Sequence, residues 1–160
     1  MSISVGDRIP PIPFIKATPE GPAPVESENY FRGRKVALFS VPGPFTPTCS
    51  ARHLPGFIDK ADALKAAGID EIACTAVSDA FVMQAWAEQS GAAGKVTMLA
   101  DGNGAFVKAV GLEMDASKFG MGQRGQRFSM LIDDGVVSQL NVEEPGAFNV
   151  SSADYLLERL

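Results

Sequence analysis

Residues that build metal sites and disulfide frameworks are scarce in this chain, which has one histidine and two cysteines among 160 residues. A zinc site needs clustered cysteine and histidine ligands, and two widely separated cysteines with one histidine do not supply them. Two cysteines are also too few to form a disulfide framework for a chain of this size. We therefore expect no metal, and free thiols in a reducing, cytoplasmic environment.

Long apolar runs and an excess of positive charge are also missing. No stretch approaches the roughly 20 apolar residues that cross a bilayer. The first residues, MSISVGDRIPPIPF, lack the charged start and apolar stretch of a secretory signal. The formal net charge is −5, whereas a protein that binds a nucleic-acid backbone needs a basic patch. We expect neither a membrane nor a nucleic acid as a partner.

Apolar residues are plentiful, at 46% of the chain, and they fall in short runs that alternate with helical patterns. The runs that predict buried strands are KVALFSV, EIACTAV and KVTMLA. Helices are predicted within residues 56–68, 80–90 and 102–111, the second of them capped by Ser78 or Asp79. The length is typical of one domain, so we expect a single domain over residues 1–160.

The last third of the sequence predicts antiparallel strands. Residues 111–125 are rich in glycine and are predicted to be irregular. The runs RFSMLID and VVSQLNV then flank Asp134-Gly135, which is typical of a β-hairpin. A capping pattern that starts at Ser151 predicts a C-terminal helix. Parallel strands joined through helices, together with a hairpin, predict an α/β fold with a central mixed β-sheet flanked by helices.

The segment VPGPFTPTCSARHLPGF surrounds Cys49 with prolines and glycines. Cys49 follows the predicted strand KVALFSV and lies where a helix begins, and ligands often bind at that edge of an open sheet. Unpaired N–H groups and the helix dipole stabilise a thiolate there. Thr46 either caps the helix or turns its hydroxyl toward a pocket, and Pro55 is expected to kink or interrupt the helix. The alternative is that Cys49 is a small buried apolar residue.

The string PGPFTPTCS resembles the active-site motif of the peroxiredoxins, Pro-x-x-x-Thr-x-x-Cys, and the longer segment resembles their type II branch. The similarity continues through IACTAVSDAFVMQAW, LADGNGAF, QRFSMLIDDG and FNVSSADYLLERL, in the same order as in the family. The resemblance implies a thioredoxin-like fold and thiol-dependent reduction of hydrogen peroxide and alkyl hydroperoxides, with no metal or organic cofactor. A thiol–disulfide oxidoreductase of the same fold would carry C-x-x-C, which is absent after Cys49.

The same resemblance assigns roles to individual residues. It implies that the catalytic residues are Pro42, Thr46, Cys49 and Arg127, and that peroxide contacts come from Thr46, Thr48, Arg124 and Arg127. Cys49 becomes a sulfenic acid, which is the first reversible step of cysteine oxidation. His53, four residues after Cys49, either shapes the pocket or has a packing or interface role.

Regeneration of Cys49 is left open by the sequence. Cys74, in the predicted strand EIACTAV, is either a buried core thiol or the resolving cysteine, since plant relatives carry a cysteine at this position. If Cys74 is inert, the resemblance implies glutathione with glutaredoxin, or thioredoxin, as the reductant. It also implies a homodimer near the active-site loops, to which Pro44, Phe45, Phe81 and Val82 would contribute. An alternative function is a peroxide sensor that passes its oxidation to a partner protein.

Overall fold

Nine short strands provide the framework of residues 2–160. The computed structural model describes residues 2–160. The strands are β1 (Pro13–Lys16), β2 (Ala23–Glu26), β3 (Lys35–Ser40), β4 (Glu71–Ala76), β5 (Thr97–Ala100), β6 (Glu113–Asp115), β7 (Gln123–Gly125), β8 (Phe128–Asp133) and β9 (Val136–Val142). Seven of them form one sheet in the order β2-β1-β5-β4-β3-β8-β9, and β6 pairs with β7 in a second sheet.

The seven-stranded sheet is mixed, as the sequence predicts. Its central strands β3, β4 and β5 are parallel, while β8 pairs with β3 and β1 pairs with β5 in antiparallel register. The hairpin of β8 and β9 turns at Asp134 and Gly135, both of which have positive φ angles. Parallel strands in the middle align their carboxyl ends along one edge, and the segment that carries Cys49 follows β3 at that edge.

Helices cover both faces of the sheet. They are α1 (Ser27–Phe31), a π-helical segment (Cys49–His53), α2 (Leu54–Asp59), α3 (Ala61–Ala66), α4 (Ala80–Ser90), α5 (Ala105–Ala109), a 3₁₀ turn (Ser117–Phe119) and α6 (Ala153–Glu158). Within residues 2–160, none of them has the length and apolar character to span a membrane.

The alternation of side chains along the strands produces two apolar cores within the described residues 2–160. In β4, Ile72 and Cys74 face one core, whereas Ala73 faces the other. The first core packs α2, α3, α4 and α6 against the sheet, and the second packs α1 and α5. Burial of each large side chain, such as Trp86 or Phe106, stabilises the fold by about 1.5–3 kcal/mol.

The predicted caps and turns are confirmed in part. Asp79 caps α4 by accepting a hydrogen bond from the Val82 backbone N–H at 2.9 Å, and Gly91 ends that helix in the left-handed region. The cap of α6 is Ser152 rather than Ser151, because Ser152 Oγ accepts from Tyr155 N–H at 3.1 Å. Ser151 is instead engaged by Glu143 at 2.7 Å.

The prediction that residues 111–125 are irregular is wrong. The two short strands β6 and β7 pair there, with Met114 opposite Arg124. Gly120 and Gly122 have φ angles of 72° and 68° in the connection between them, and glycine adopts this left-handed conformation without strain. Each strand has only three residues, which is too short for an alternating pattern to be recognised in the sequence.

Candidate active site

The loop after β3 leads directly into the helix that carries Cys49. Residues 47–59 are helical, with π-helical geometry over Cys49–His53, and the Leu54 N–H bonds to the carbonyl of Cys49. Pro55 has no N–H and cannot supply the next hydrogen bond of an α-helix. The predicted disturbance at Pro55 therefore takes the form of a widened turn just before it, and the helix continues. π-Helical turns of this kind occur frequently at functional sites.

Arg127 lies against the sulfur of Cys49. Cys49 is fully buried, and its Sγ accepts a hydrogen bond from Arg127 Nη2 at 3.0 Å. The sheet explains the proximity, because Ser40 at the end of β3 pairs with Phe128 at the start of β8. Cys49 follows the first strand and Arg127 precedes the second. A guanidinium at hydrogen-bond distance stabilises a thiolate over a neutral thiol.

His53 is hydrogen-bonded to the other terminal nitrogen of the Arg127 guanidinium. Its Nε2 lies 2.9 Å from the Ser151 carbonyl oxygen, which can only accept, so Nε2 carries the proton. Its Nδ1 is then free to accept from Arg127 Nη1 at 2.9 Å. Burial, and then the charge of Arg127, lower the pKa of His53 to about 3, so the ring is neutral at neutral pH.

Of the roles that the sequence leaves open for His53, packing is the one that the structure shows directly. The ring is fully buried and packs with the ring of Phe39 at 4.8 Å and with that of Phe148 at 5.1 Å, measured between centroids. Its polar atoms connect Arg127 to the C-terminal segment. Among residues 2–160, the polar partners of the His53 ring are Arg127 and Ser151, and no carboxylate is hydrogen-bonded to it.

A pocket of about 790 Å³ opens beside Arg127. Three of the predicted substrate-contact and catalytic residues line it together with Arg127, namely Pro42, Thr46 and Thr48. The Thr46 hydroxyl donates to the Gly43 carbonyl at 2.7 Å, which closes the turn before the helix. A large part of the remaining wall is apolar, with side chains from Met114, Phe119 and Met121. Thr46 thus fixes the loop and also faces the pocket.

Arg124 occupies a different position from Arg127. Its Nε donates to the Met121 carbonyl at 2.9 Å, and its Nη1 lies 3.2 Å from the Val77 carbonyl and 3.5 Å from that of Pro42. It therefore joins three loops at the carboxyl edge of the sheet. A substrate contact by Arg124 stays a prediction.

Cys74 is a fully buried, free thiol in β4 and belongs to the same apolar core as Cys49. Burial, and then the charge of Cys49, raise the pKa of Cys74 well above its usual value, against a smaller opposite effect of Arg127. Its neutral form is therefore favoured in the folded chain. Within residues 2–160, no cluster of His, Cys, Asp and Glu side chains is arranged to hold a metal ion.

Glu143 and Ser151 complete the polar network, and the sequence reasoning missed both of them. Glu143 is only 7% exposed and accepts hydrogen bonds from the backbone N–H groups of residues 149–151 and from Ser151 Oγ. Burial raises the pKa of Glu143, but the donors from Ser151, Asn149 and Val150 outweigh burial and lower it. A buried carboxylate among exposed neighbours has no signature in one sequence.

Comparison with known proteins agrees with this geometry. The Redoxin family model matches residues 4–157. Peroxiredoxin-2E of Arabidopsis thaliana and peroxiredoxin-2E-2 of Oryza sativa, both chloroplastic, are 46% and 49% identical over 99% of the chain and 70% and 73% of their own lengths. The chain belongs to the type II peroxiredoxins. It is therefore a thiol-dependent peroxidase with a thioredoxin-like fold.

A solved structure of another peroxiredoxin agrees with this assignment. Reduced Prx3 of Vibrio vulnificus, in complex with hydrogen peroxide, is 50% identical to the chain and superimposes with a TM-score of 0.94 over 98% of both chains. The chain therefore shares its mixed sheet and flanking helices with a peroxiredoxin that was crystallised with hydrogen peroxide.

The prediction of a cytoplasmic location is wrong for this peroxiredoxin. The two plant relatives named above, at 46% and 49% identity, are chloroplastic rather than cytoplasmic proteins. Free cysteines indicate a reducing environment. Free cysteines are compatible with any reducing compartment. The cysteine content therefore could not identify the cytoplasm.

Proposed function

We propose that Cys49 is the catalytic nucleophile and that Arg127 stabilises it. The observation that supports this most directly is the hydrogen bond of 3.0 Å from Arg127 Nη2 to the Cys49 sulfur. The sulfur of the Cys49 thiolate attacks one oxygen of the peroxide, and the O–O bond breaks. The other oxygen leaves with the electron pair and takes a proton, giving water or an alcohol. Sulfur is oxidised to a sulfenic acid as the peroxide is reduced.

The residues around the thiol have supporting roles in this proposal. Arg127 stabilises the thiolate first and then the charge that develops on the leaving oxygen. Thr46 and Thr48 hold the peroxide in line with the sulfur, and Pro42 shields the pocket from water. Because the loop is fixed by Thr46 and the helix by its own hydrogen bonds, little reorganisation is needed when the peroxide arrives. The test is peroxide turnover by a chain that lacks the Cys49 thiol.

An external thiol is proposed to regenerate Cys49, either glutathione with glutaredoxin or thioredoxin. The burial of Cys74 in β4, together with its raised pKa, supports a core role over a resolving one. A disulfide with Cys49 would require the two Cα atoms within roughly 7 Å. A peroxide sensor uses the same sulfenic acid but needs a partner protein as the recipient. The comparisons do not favour it.

The apolar side of the pocket supports a preference for peroxides with apolar tails. Gly43 is in the active-site loop, and a Cβ atom placed on it would lie 3.1 Å from Cε of Met121. The Met121 side chain therefore packs against this loop. Met121→Gln is expected to lower kcat/KM for cumene hydroperoxide roughly tenfold, since apolar contacts of this size contribute about 1–3 kcal/mol. The value for hydrogen peroxide should stay the same. Steady-state assays with both peroxides measure the ratio.

Val5→Gln is the matched control for this prediction, because Val5 is apolar, 61% exposed and outside the pocket. An equal loss with both peroxides in Met121→Gln would show a general disturbance of the site. The apolar wall would then have no role in the choice of substrate.

A homodimer is proposed to form over the exposed apolar residues near the active-site loop. Phe81 is 71% exposed, Phe45 46% and Val82 37%. The Phe45 ring lies 6.5 Å from that of Trp86, which follows Val82 by one turn of α4, so Phe45 lies close to the part of α4 that carries Phe81 and Val82. Exposed apolar patches of this kind mark interaction surfaces.

Sedimentation is expected to give twice the mass of one chain for the wild type and the mass of one chain for Phe81→Asp. Val5→Asp places the same charge on a distant exposed position, so it should remain dimeric. A wild type that sediments as a monomer at micromolar concentration would contradict the proposed dimer.

A further inference from the structure

Glu143 is a buried carboxylate that is hydrogen-bonded to backbone N–H groups and to one hydroxyl. It follows the end of β9, and in the described part of the chain none of the ion pairs includes it. Its Oε2 accepts from Val150 N–H and Ser151 N–H at 2.8 Å and from Ser151 Oγ at 2.7 Å. Asn149 N–H donates to both oxygens, at 3.0 and 2.8 Å. These bonds fix the backbone of residues 149–151.

Ser151 transmits this constraint to the active site. Its N–H is held by Glu143, and its carbonyl oxygen accepts from His53 Nε2 at 2.9 Å. That carbonyl determines which ring nitrogen of His53 carries the proton. Without it, either tautomer is available, and a proton on Nδ1 would point at the Arg127 guanidinium.

The hydrogen bonds continue from His53 through Arg127 to the sulfur of Cys49. His53 Nδ1 holds Arg127 Nη1 at 2.9 Å, and Arg127 Nη2 holds Cys49 Sγ at 3.0 Å. Phe148, from the same segment, lies with its ring centroid 6.0 Å from the guanidinium carbon of Arg127. A continuous path of hydrogen bonds, which passes through the backbone of Ser151, therefore joins Glu143 to Cys49.

We propose that Glu143 is a positioning residue of the peroxidase reaction, which acts on Arg127 through the Ser151 carbonyl and the His53 tautomer. This inference rests on the roles proposed above for Cys49 and Arg127. Glu143 lines the pocket, but its oxygens accept hydrogen bonds from the 149–151 segment. It therefore acts through Ser151 and His53 and needs no contact with the peroxide.

The test compares Glu143→Gln with Glu20→Gln, the same change at an exposed position. Glutamine keeps the shape of the side chain but turns one acceptor into an N–H donor that faces other donors. We expect alkylation of Cys49 by iodoacetamide at neutral pH, and its oxidation by hydrogen peroxide, to slow on the order of tenfold to a hundredfold. The thiolate absorbance in the ultraviolet should titrate at higher pH. Glu20→Gln should match the wild type.

A double variant separates positioning from a general loss of structure. In the background of His53→Phe, Glu143→Gln is expected to cause no further slowing, because the path is already broken. Additive losses would overturn the proposal, and so would wild-type alkylation by Glu143→Gln. If Glu143→Gln fails to fold, Ser151→Ala provides the test, because it removes only the hydroxyl that donates to Glu143. Several-fold slowing supports the proposal, and a wild-type rate overturns it.

The variant Arg127→Ala distinguishes a failure of this inference from a failure of the proposed function. If Arg127→Ala reacts with peroxide at the wild-type rate, the role of Arg127 is wrong and the positioning argument falls with it. If Arg127→Ala is slow and Glu143→Gln is fast, only the role of Glu143 is wrong.

Discussion

Cys49→Ser is expected to abolish peroxide reduction, with a loss on the order of a thousandfold or more. A serine hydroxyl is not ionised near neutral pH and is a far weaker nucleophile than a thiolate. Serine is close in size to cysteine, and its oxygen can still accept from Arg127, so the fold should survive. Peroxide consumption, coupled to either glutathione with glutaredoxin or thioredoxin, measures the loss. Normal turnover by this variant would remove Cys49 from the mechanism.

The fate of the sulfur is read by intact-mass spectrometry after one equivalent of hydrogen peroxide, with a sulfenic-acid trap present. An adduct on Cys49 alone is expected, and Cys74→Ser should keep its turnover with an external thiol. A protein that has instead lost two hydrogens would contain a Cys49–Cys74 disulfide. In that case β4 must open to release Cys74, and the proposal of external resolution is wrong.

Arg127→Ala is expected to slow the oxidation of Cys49 by hydrogen peroxide on the order of a hundredfold to a thousandfold. The variant loses the donor 3.0 Å from the sulfur, and with it a positive charge aimed at the leaving oxygen. It also leaves the buried His53 Nδ1 without its partner. Stopped-flow measurement of the reaction with peroxide gives the rate constant of this single step.

Arg32→Ala is the control for this experiment, because Arg32 is exposed and lies at the start of the loop that leads into β3, far from the pocket. Its oxidation rate should equal that of the wild type. An Arg127→Ala rate within a factor of about two of the wild type would contradict electrostatic stabilisation by Arg127.

The sheet and its helices were predictable because their signals are local. The apolar runs around Leu38 and Ala73 are continuous, and Gly91 ends a helical pattern where the structure ends α4. The proposed nucleophile was found from a local signal too, since a proline-rich turn between strand and helix singles out Cys49. The family resemblance then supplied Arg127, and the pairing of β3 with β8 brings it to Cys49.

The network behind Arg127 could not be predicted in the same way. His53 and Ser151 are 98 positions apart in the chain, and their contact depends on how α6 docks against α2. Glu143 is adjacent in sequence to the exposed Glu144, and only the path of residues 149–151 decides which of the two is buried. The β6–β7 pair was missed because turn residues outnumber strand residues around it.

The neutral state of His53 has a consequence for the charge of the site during turnover. In the proposed mechanism, the Cys49 thiolate and Arg127 form a pair with zero net charge, since His53 contributes none. Formation of the neutral sulfenic acid removes the anion and leaves the guanidinium uncompensated. A carboxylate in place of His53 would cancel that cation at every stage. With histidine there, each oxidation changes the net charge of the pair from zero to plus one, and an incoming thiolate restores electrical neutrality.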